Sequence, residues 1–382
     1  MSDVWGPWSA AAEPAPTAQD AAPSQYPCAS CGATLSYAPG ETVLHCGFCG
    51  SETPIPHLGA EALRAAVREQ DYLAALAREE RGGETEETRT VACDACGAQV
   101  EFDPANHATE CPFCATPLVA DPSPDRHIRP QALLPFAITR DAARAVIGKW
   151  LAGLWFAPNG LRRYARTDSR LTGVYTPYWT FDARTETAYA GQRGDVYVVQ
   201  TRGPDGKPRQ ATRVRWTPRS GRLRRAFDDV LVLGATSLPR EDTDALAPWD
   251  LSALEPYRRD YLAGFRAETY TVPLRDGYAE ARGIMDAWIR RDVRGAIGGD
   301  QQRIERIDTR VSDVTFKHVL LPVWLGAYRY RDRVYRIVIN GRTGTVRGGR
   351  PYSAWKIAFA VLAALALAGL VAVAVQQSGG LR

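Results

Sequence analysis

From Ile357 to Val375 the chain carries nineteen residues without one polar side chain. As a helix rising ~1.5 Å per residue, this run spans about 28 Å, close to the ~30 Å hydrocarbon core of a bilayer. A core helix of that length would carry a polar stripe, and this one has none. The pattern predicts one transmembrane helix over 355–375, followed by a short tail, 376–382. Trp355 and Lys356 stand where an interfacial anchor belongs. Upstream the pattern changes to helical amphipathicity. Gly59 to Arg81 places Leu63, Val67, Leu73 and Leu76 near one face, with Arg or Glu elsewhere, and predicts a helix. The run GGETEETR, Gly82 to Arg89, reads as a polar linker that completes a helix-and-linker segment over 57–90.

Two further segments resemble each other. Leu134-Pro135-Phe136 precedes an amphipathic helix ending near Trp150, and Val272-Pro273-Leu274 precedes one ending near Trp288; Pro and Trp are both offset by 138 positions. Downstream, VYTPYW (174–179) matches VLLPVW (319–324) at an offset of 145. Each match opens a strand-like stretch, Thr180 to Ala190 and Leu325 to Ile339, and Asn340-Gly341 sits in a terminal hairpin, RIVINGRTGTVRG. The expectation is an α+β body over 128–350, built from two copies of a helix-plus-antiparallel-sheet unit. Its Trp and Pro residues read as core and edge-strand features. Between the copies lies an insertion, 201–267, whose first part holds nine cations from Arg202 to Arg225 against one acid, Asp205. It reads as a solvated hairpin or as a surface for anionic lipid or an acidic partner.

A chain of 382 residues allows two or three domains, and 45% apolar with 24% charged residues is ordinary for a globular protein. The net charge of +4 does not imply a polyanionic partner. Residues 1–25, rich in Ala, Pro, Ser and Gln, read as a disordered tail, with Trp5 and Trp8 an unusual pair within it. Asp3 and Glu13 replace the basic start of a signal peptide.

The chemistry lies in eight cysteines. Cys28 and Cys31 form a C-x-x-C pair, and after fourteen residues Cys46 and Cys49 form another; sixty-five positions on, Cys93, Cys96, Cys111 and Cys114 repeat the set. Two facing C-x-x-C knuckles converge four thiolates on one point, as a closed structural Zn²⁺ site requires. Gly32 and Gly97 follow the second Cys of each set, where a knuckle needs unusual backbone freedom. The expectation is two zinc ribbons, 26–56 and 91–120, each with one ion. A thioredoxin-like redox pair would need a βαβ context, and iron could occupy the same sulfur cage. Thiolate zinc and the lack of an export signal predict a cytoplasmic body. With Arg342, Arg347 and Arg350 just before the span and Arg382 the one charge after it, the protein is expected to be single-pass in the cell (inner) membrane.

The ribbons carry no Lys or Arg between Pro27 and His57 or between Val91 and Ala120, but do carry Glu41, Glu52, Asp94, Glu101, Asp103 and Glu110. Such surfaces repel a phosphate backbone, so nucleic acid is not the expected partner. Phe48 and Phe113 are candidate apolar tips for protein docking. The five histidines are scattered, no H-E-x-x-H, G-x-S-x-G or G-x-x-x-x-G-K-[ST] occurs, and no enzyme is expected.

With the paired ribbons, PYW, FDDVLV, YLAGFRAETY, LPVWLGAYRY, INGRTGTVRG and the terminal apolar helix in order, the chain resembles bacterial membrane-anchored zinc-ribbon proteins. Those are often labelled "primosomal protein N′ (replication factor Y), superfamily II helicase" or "TFIIB-type zinc ribbon-containing protein". The resemblance covers about residues 26 to 375. No ATP-binding motif supports the helicase label. The resemblance implies association with SPFH-domain or phage-shock-type partners in envelope stress, and it carries over the eight cysteines alone. The reading is a non-enzymatic membrane adaptor recruiting a cytosolic protein. The alternatives are a nucleic-acid binder using the 202–225 arginines and a ligand-binding or enzymatic body with Trp179 and Trp324 lining a pocket.

Overall fold

The computed structural model describes residues 26–56, 58–79, 86–101, 108–114, 116–119, 123–158, 171–202, 204, 208–330 and 333–379. The tail 1–25 with Trp5 and Trp8, and also His57, Asp103 and His107, lie outside them. The first ribbon is a three-stranded antiparallel sheet of β1 (Leu35–Tyr37), β2 (Val43–Cys46) and β3 (Glu52–Pro54). The stretch read as one helix from Gly59 to Arg81 is two: α1 (Ala60–Ala66) and α2 (Tyr72–Glu79), separated by β4 (Gln70–Asp71). Its break has a tertiary cause, because β4 pairs with Thr315 and Phe316 of the body. The buried face of α2 is Tyr72 and Ala75, while Leu73 is exposed.

The second ribbon comprises β5 (Glu86–Ala92), β6 (Gln99–Glu101), β7 (Ala108–Glu110), β8 (Pro117–Val119) and β9 (Ser123–His127). Glu86 to Arg89, read as linker, is strand instead and pairs with β9.

The body opens with β10 (Ala132–Leu133) and α3 (Arg140–Gly153), whose first turn is capped by Thr139 Oγ1 accepting from the Ala142 amide at 3.2 Å. Two long strands follow, β11 (Leu171–Arg202) and β12 (Pro208–Leu233). After α4 (Arg240–Asp244) and β13 (Glu255–Pro256), the plan recurs as β14 (Arg266–Ala267), α5 (Leu274–Ile297), β15 (Gln301–Tyr330) and β16 (Arg333–Asn340). β17 (Val346–Gly348) and α6 (Ala354–Gly379) complete the described chain. The fold is α+β, with the two cysteine sets toward its N-terminal end and one apolar helix at its C-terminal end.

The two matched segments lie side by side. β11 and β15 pair antiparallel, with Thr176 opposite Leu321, Pro177 opposite Leu320 and Tyr175 opposite Pro322. Thr176 and Leu321 are equivalent under the 145-residue offset, so a local two-fold axis passes between them. Around it the flanks correspond: β14 pairs parallel with Val174–Tyr175, and β10 pairs parallel with Val319–Leu320. β12 begins pairing at Tyr178 and β16 at Val323. The tryptophans close the symmetry reciprocally. Trp179 Nε1 of the first copy donates to Val272 O of the second, and Trp324 Nε1 of the second donates to Ile138 O of the first, each at 2.9 Å. Both rings are buried, so each satisfies its N–H inside apolar packing. They tie the halves together as buried core residues, as the sequence reading expected of the Trp positions.

Helix α5 buries Leu274, Gly277, Ala281, Met285, Ile289, Val293 and Ile297, a stripe at three- and four-residue spacing. It continues nine residues past Trp288 because the sheet beneath it continues as well: β11 alone has 32 residues, on the order of 100 Å at ~3.3 Å each. The arginine-rich stretch of the insertion is mostly β12, paired with β11 to Arg202–Pro208. The close approach of α5 to the sheet gives a sign test. Adding a Cβ to Gly277 would place it 2.7 Å from Trp179 Cδ1, whereas at Gly283 of the same helix nothing lies within 4 Å. Alanine replacing a mid-helix glycine normally stabilises by ~1 kcal/mol, and overpacking a rigid core costs ~1–3 kcal/mol. Gly283→Ala is therefore expected to raise the Tm and Gly277→Ala to lower it. Equal shifts of the same sign in thermal melts would refute this packing.

Candidate metal centres and the exposed knuckle

Each ribbon assembles its four sulfurs from two tight turns. In the first, Cys28 Sγ lies 3.6 Å from Cys49 Sγ, and Cys31 Sγ lies 3.6 Å from Cys46 Sγ. In the second, Cys93–Cys114 is 3.5 Å and Cys96–Cys111 is 3.6 Å. Four sulfurs at ~2.3 Å from one ion stand about 3.8 Å apart in a tetrahedron, so both sets fit Zn²⁺ with little movement. The two Cys₄ groups are consistent with two zinc ions, each closed to further ligands. The knuckle amides support this geometry: Gly32 N donates to Cys28 O at 2.8 Å and Gly97 N to Cys93 O at 2.7 Å. Both glycines have φ near +74°, the left-handed conformation that other residues adopt only with strain.

Hydroxyls beside the sulfurs were missed by the cysteine spacing, although they obey the same 65-residue repeat. Ser51 Oγ lies 2.9 Å from Cys28 Sγ and 3.1 Å from Cys49 Sγ, and Thr116 Oγ1 lies 3.2 Å from Cys114 Sγ. The Ser51 hydroxyl, with knuckle amides, pulls the Cys28 thiol down to about 6. For Cys114, burial acts upward, and the Thr116 hydroxyl and amide overcome it to bring the thiol to about 7. Other sulfurs of the two clusters move the other way, Cys31 up to about 12 and Cys96 up to about 11, the latter mainly by burial, so Cys28 and Cys114 are among the sulfurs that most readily offer a metal a thiolate.

Although duplicated in sequence, the ribbons occupy opposite faces of the central sheet. Ribbon one packs Leu35, Tyr37, Leu44 and Ile55 into a core with Tyr175, Leu320 and Trp324. Tyr37 Oη donates to Phe136 O at 3.1 Å, its amide donates to Ala263 O, and Arg258 Nη1 holds Pro56 O at 2.8 Å. Ribbon two packs Cys93, Ala98, Val100, Cys111 and Phe113 against Val174, Val323 and Leu325, the alternate positions of the same strands. Thr269 N donates to Gln99 O at 2.9 Å, and Arg266 Nη1 to Glu110 O at 3.2 Å.

This placement separates the two candidate tips. Phe48, on the knuckle between Cys46 and Cys49, is 84% exposed, but its repeat counterpart Phe113 is 3% exposed. Phe113 is thus no docking tip: the second ribbon turns that knuckle into the body, where Phe113 belongs to the same buried core as Val323 and Leu325. Ribbon one leaves its equivalent knuckle outward, with Cys31 and Cys49 also exposed.

At the seam of ribbon two, Glu268 bridges to Val100 and is 2% exposed, with neither carboxylate oxygen hydrogen-bonded among the described residues. Burial drives its carboxyl up to about 8, the Ser237 side chain opposing weakly. A third acidic group, Glu69, Asp182 and Asp228, also converges. Here a cation is already supplied: Lys317 Nζ lies 3.2 Å from Glu69 Oε1 and 2.8 Å from Asp229 Oδ1. Thr315 Oγ1 donates to Glu69 at 2.5 Å and the Asp229 amide to Asp182 Oδ1 at 2.7 Å. This group fastens the segment before β4 to a β-bulge of β11. Lys317→Met is expected to lower stability by ~1–3 kcal/mol by leaving these half-buried acids without their cation, measured as a lower urea midpoint; an unchanged midpoint would refute the clamp.

Helix α6 is the one described helix long and apolar enough to cross a membrane, with mean hydropathy 2.1 over Ala354–Val371 and none of that window buried by the body.

Among known proteins, the chain is 26% identical over 274 residues to the uncharacterized protein YdjG of Bacillus subtilis (strain 168), a match covering 66% of this chain and 74% of that relative. No family model matches the chain. No solved structure matches it.

Proposed function

We propose that the protein is a non-enzymatic membrane adaptor that recruits a cytosolic protein through the outward knuckle of its first zinc ribbon. The observation that carries this reading is the divergence of one duplicated position: Phe113 is used inside the fold, and Phe48 is left in solvent on a zinc-rigidified turn. An exposed aromatic on a rigid support suits the centre of a protein interface. Glu41 and Glu52, both exposed on the same ribbon, set an acidic rim that favours a basic partner surface. Helix α6 serves as the bilayer anchor. The arginines just before it, Arg342, Arg347 and Arg350, favour a cytoplasmic body in the cell membrane. The resemblance to membrane-anchored zinc-ribbon proteins makes an SPFH-domain or phage-shock-type protein of envelope stress the partner class to seek first.

The test is affinity capture from gently solubilised membranes. Phe48→Asp leaves all eight cysteines and the buried face of the ribbon intact. It is expected to keep the wild-type Tm and zinc content while recovering at least tenfold less of a defined partner. Full partner recovery by Phe48→Asp would overturn the reading.

A further inference from the structure

The end of helix α3 comes back against the start of α6, and the aromatic residues there are left outside the fold. Trp155 is 81% exposed, Phe156 is 41% exposed, and across from them Trp355 is 81% exposed. Together with Phe359 they line an open, largely apolar groove between the two helices. The turn is tied to α6 by its own backbone. Lys356 Nζ donates to Trp155 O at 3.1 Å and to Ala157 O at 2.9 Å, and Ser353 N donates to Phe156 O at 2.8 Å. Trp155 is thereby fixed at the level of the first turn of α6, where the apolar run begins.

We propose that the Trp155–Phe156 turn is a second membrane contact, seated in the headgroup–acyl boundary of the same leaflet through which α6 leaves the body. The inference rests on the reading of α6 as a membrane span and extends it to a segment some two hundred residues earlier in the chain. The bilayer is the occupant because the groove is continuous with the lipid-facing surface of α6. A bilayer accepting Trp355 at its interface meets Trp155 at the same depth. Tryptophan suits that layer, with an apolar ring for the acyl region and an N–H for the headgroups. Two contacts, one a helix and one a turn bonded to it, hold the body in one orientation on the membrane instead of leaving it on a swivel.

The full chain, labelled with 5-fluorotryptophan and reconstituted in phosphatidylethanolamine–phosphatidylglycerol nanodiscs, tests this by ¹⁹F NMR with a doxyl lipid as paramagnetic probe. The Trp155 line is assigned as the one lost in Trp155→Phe, and the Trp355 and Trp179 lines are assigned likewise. The expected result is broadening of Trp155 comparable to that of Trp355, with buried Trp179 unaffected. Broadening of Trp355 with a Trp155 line as narrow as that of Trp179 overturns the second contact and leaves the span standing. Failure to broaden either line, with carbonate extraction of the protein from membranes, overturns the span and this inference with it.

Discussion

Replacing Cys111 by serine is expected to release one of two zinc ions and to abolish the cooperative unfolding transition of the whole body, not of one ribbon alone. Cys111 is 2% exposed and shares a core with Val174, Val323 and Leu325, central positions of the sheet that joins the duplicated halves. Zinc in comparable cysteine sites supplies ~10–16 kcal/mol of folding free energy, as much as the ~5–15 kcal/mol net stability of an ordinary domain. Loss of that ion strips the face of the sheet that ribbon two covers and exposes Glu268 and its apolar neighbours to water. The checks are zinc per chain by elemental analysis and thermal unfolding in detergent. A variant with one zinc and a wild-type transition would show that ribbon two hangs on the body without supporting it.

The second large effect is a change in pH dependence from Glu268→Gln. Burial holds the Glu268 carboxyl at about 8, against an ordinary value near 4.5, so the folded state keeps a proton that the unfolded chain gives up. Stability from this residue is fully present below pH ~4.5 and is lost as pH rises to ~8, beyond which it is constant. Gln is neutral throughout and of similar shape. The variant is expected to match the wild type near pH 4.5 and to exceed it at pH 8 by on the order of a few kcal/mol. Buried His318, pushed down to about 4 mainly by burial, acts in the opposite sense. Its stabilisation is present above ~6.5 and lost as pH falls through 4, in both proteins alike. Urea midpoints across pH 4.5–8 measure the difference, and parallel curves for the two proteins would contradict a buried protonated Glu268.

Much of this molecule could be read directly from its residues, for physical reasons particular to each part. The cysteine spacing encodes a local geometry, and the sulfurs converge accordingly. The apolar run of α6 is continuous, so no tertiary partner was needed to recognise it. The paired Pro and Trp motifs identified the duplication because each Trp satisfies its N–H on the other copy, a requirement that both copies retain. The length of the sheet was hidden. β12 carries arginines because most of it faces solvent, and the alternation that remains is thin, with Val214, Trp216 and Leu223 half-buried between exposed cations. The break between α1 and α2 was equally silent, since Gln70 and Asp71 become strand by pairing with Thr315 and Phe316, far along the chain. Phe113 misled because its burial is decided by how ribbon two docks, and the ribbon's own sequence gives it the same pattern as Phe48.

The docking role of the outward knuckle is tested most directly by photocrosslinking in intact membranes. A benzoylphenylalanine placed at Phe48 is compared with one at Leu73, also solvent-facing but on α2. The adaptor reading predicts a discrete adduct of one partner from position 48, lost when zinc is chelated, and none from position 73. No adduct at position 48, or the same adduct from both, would contradict it.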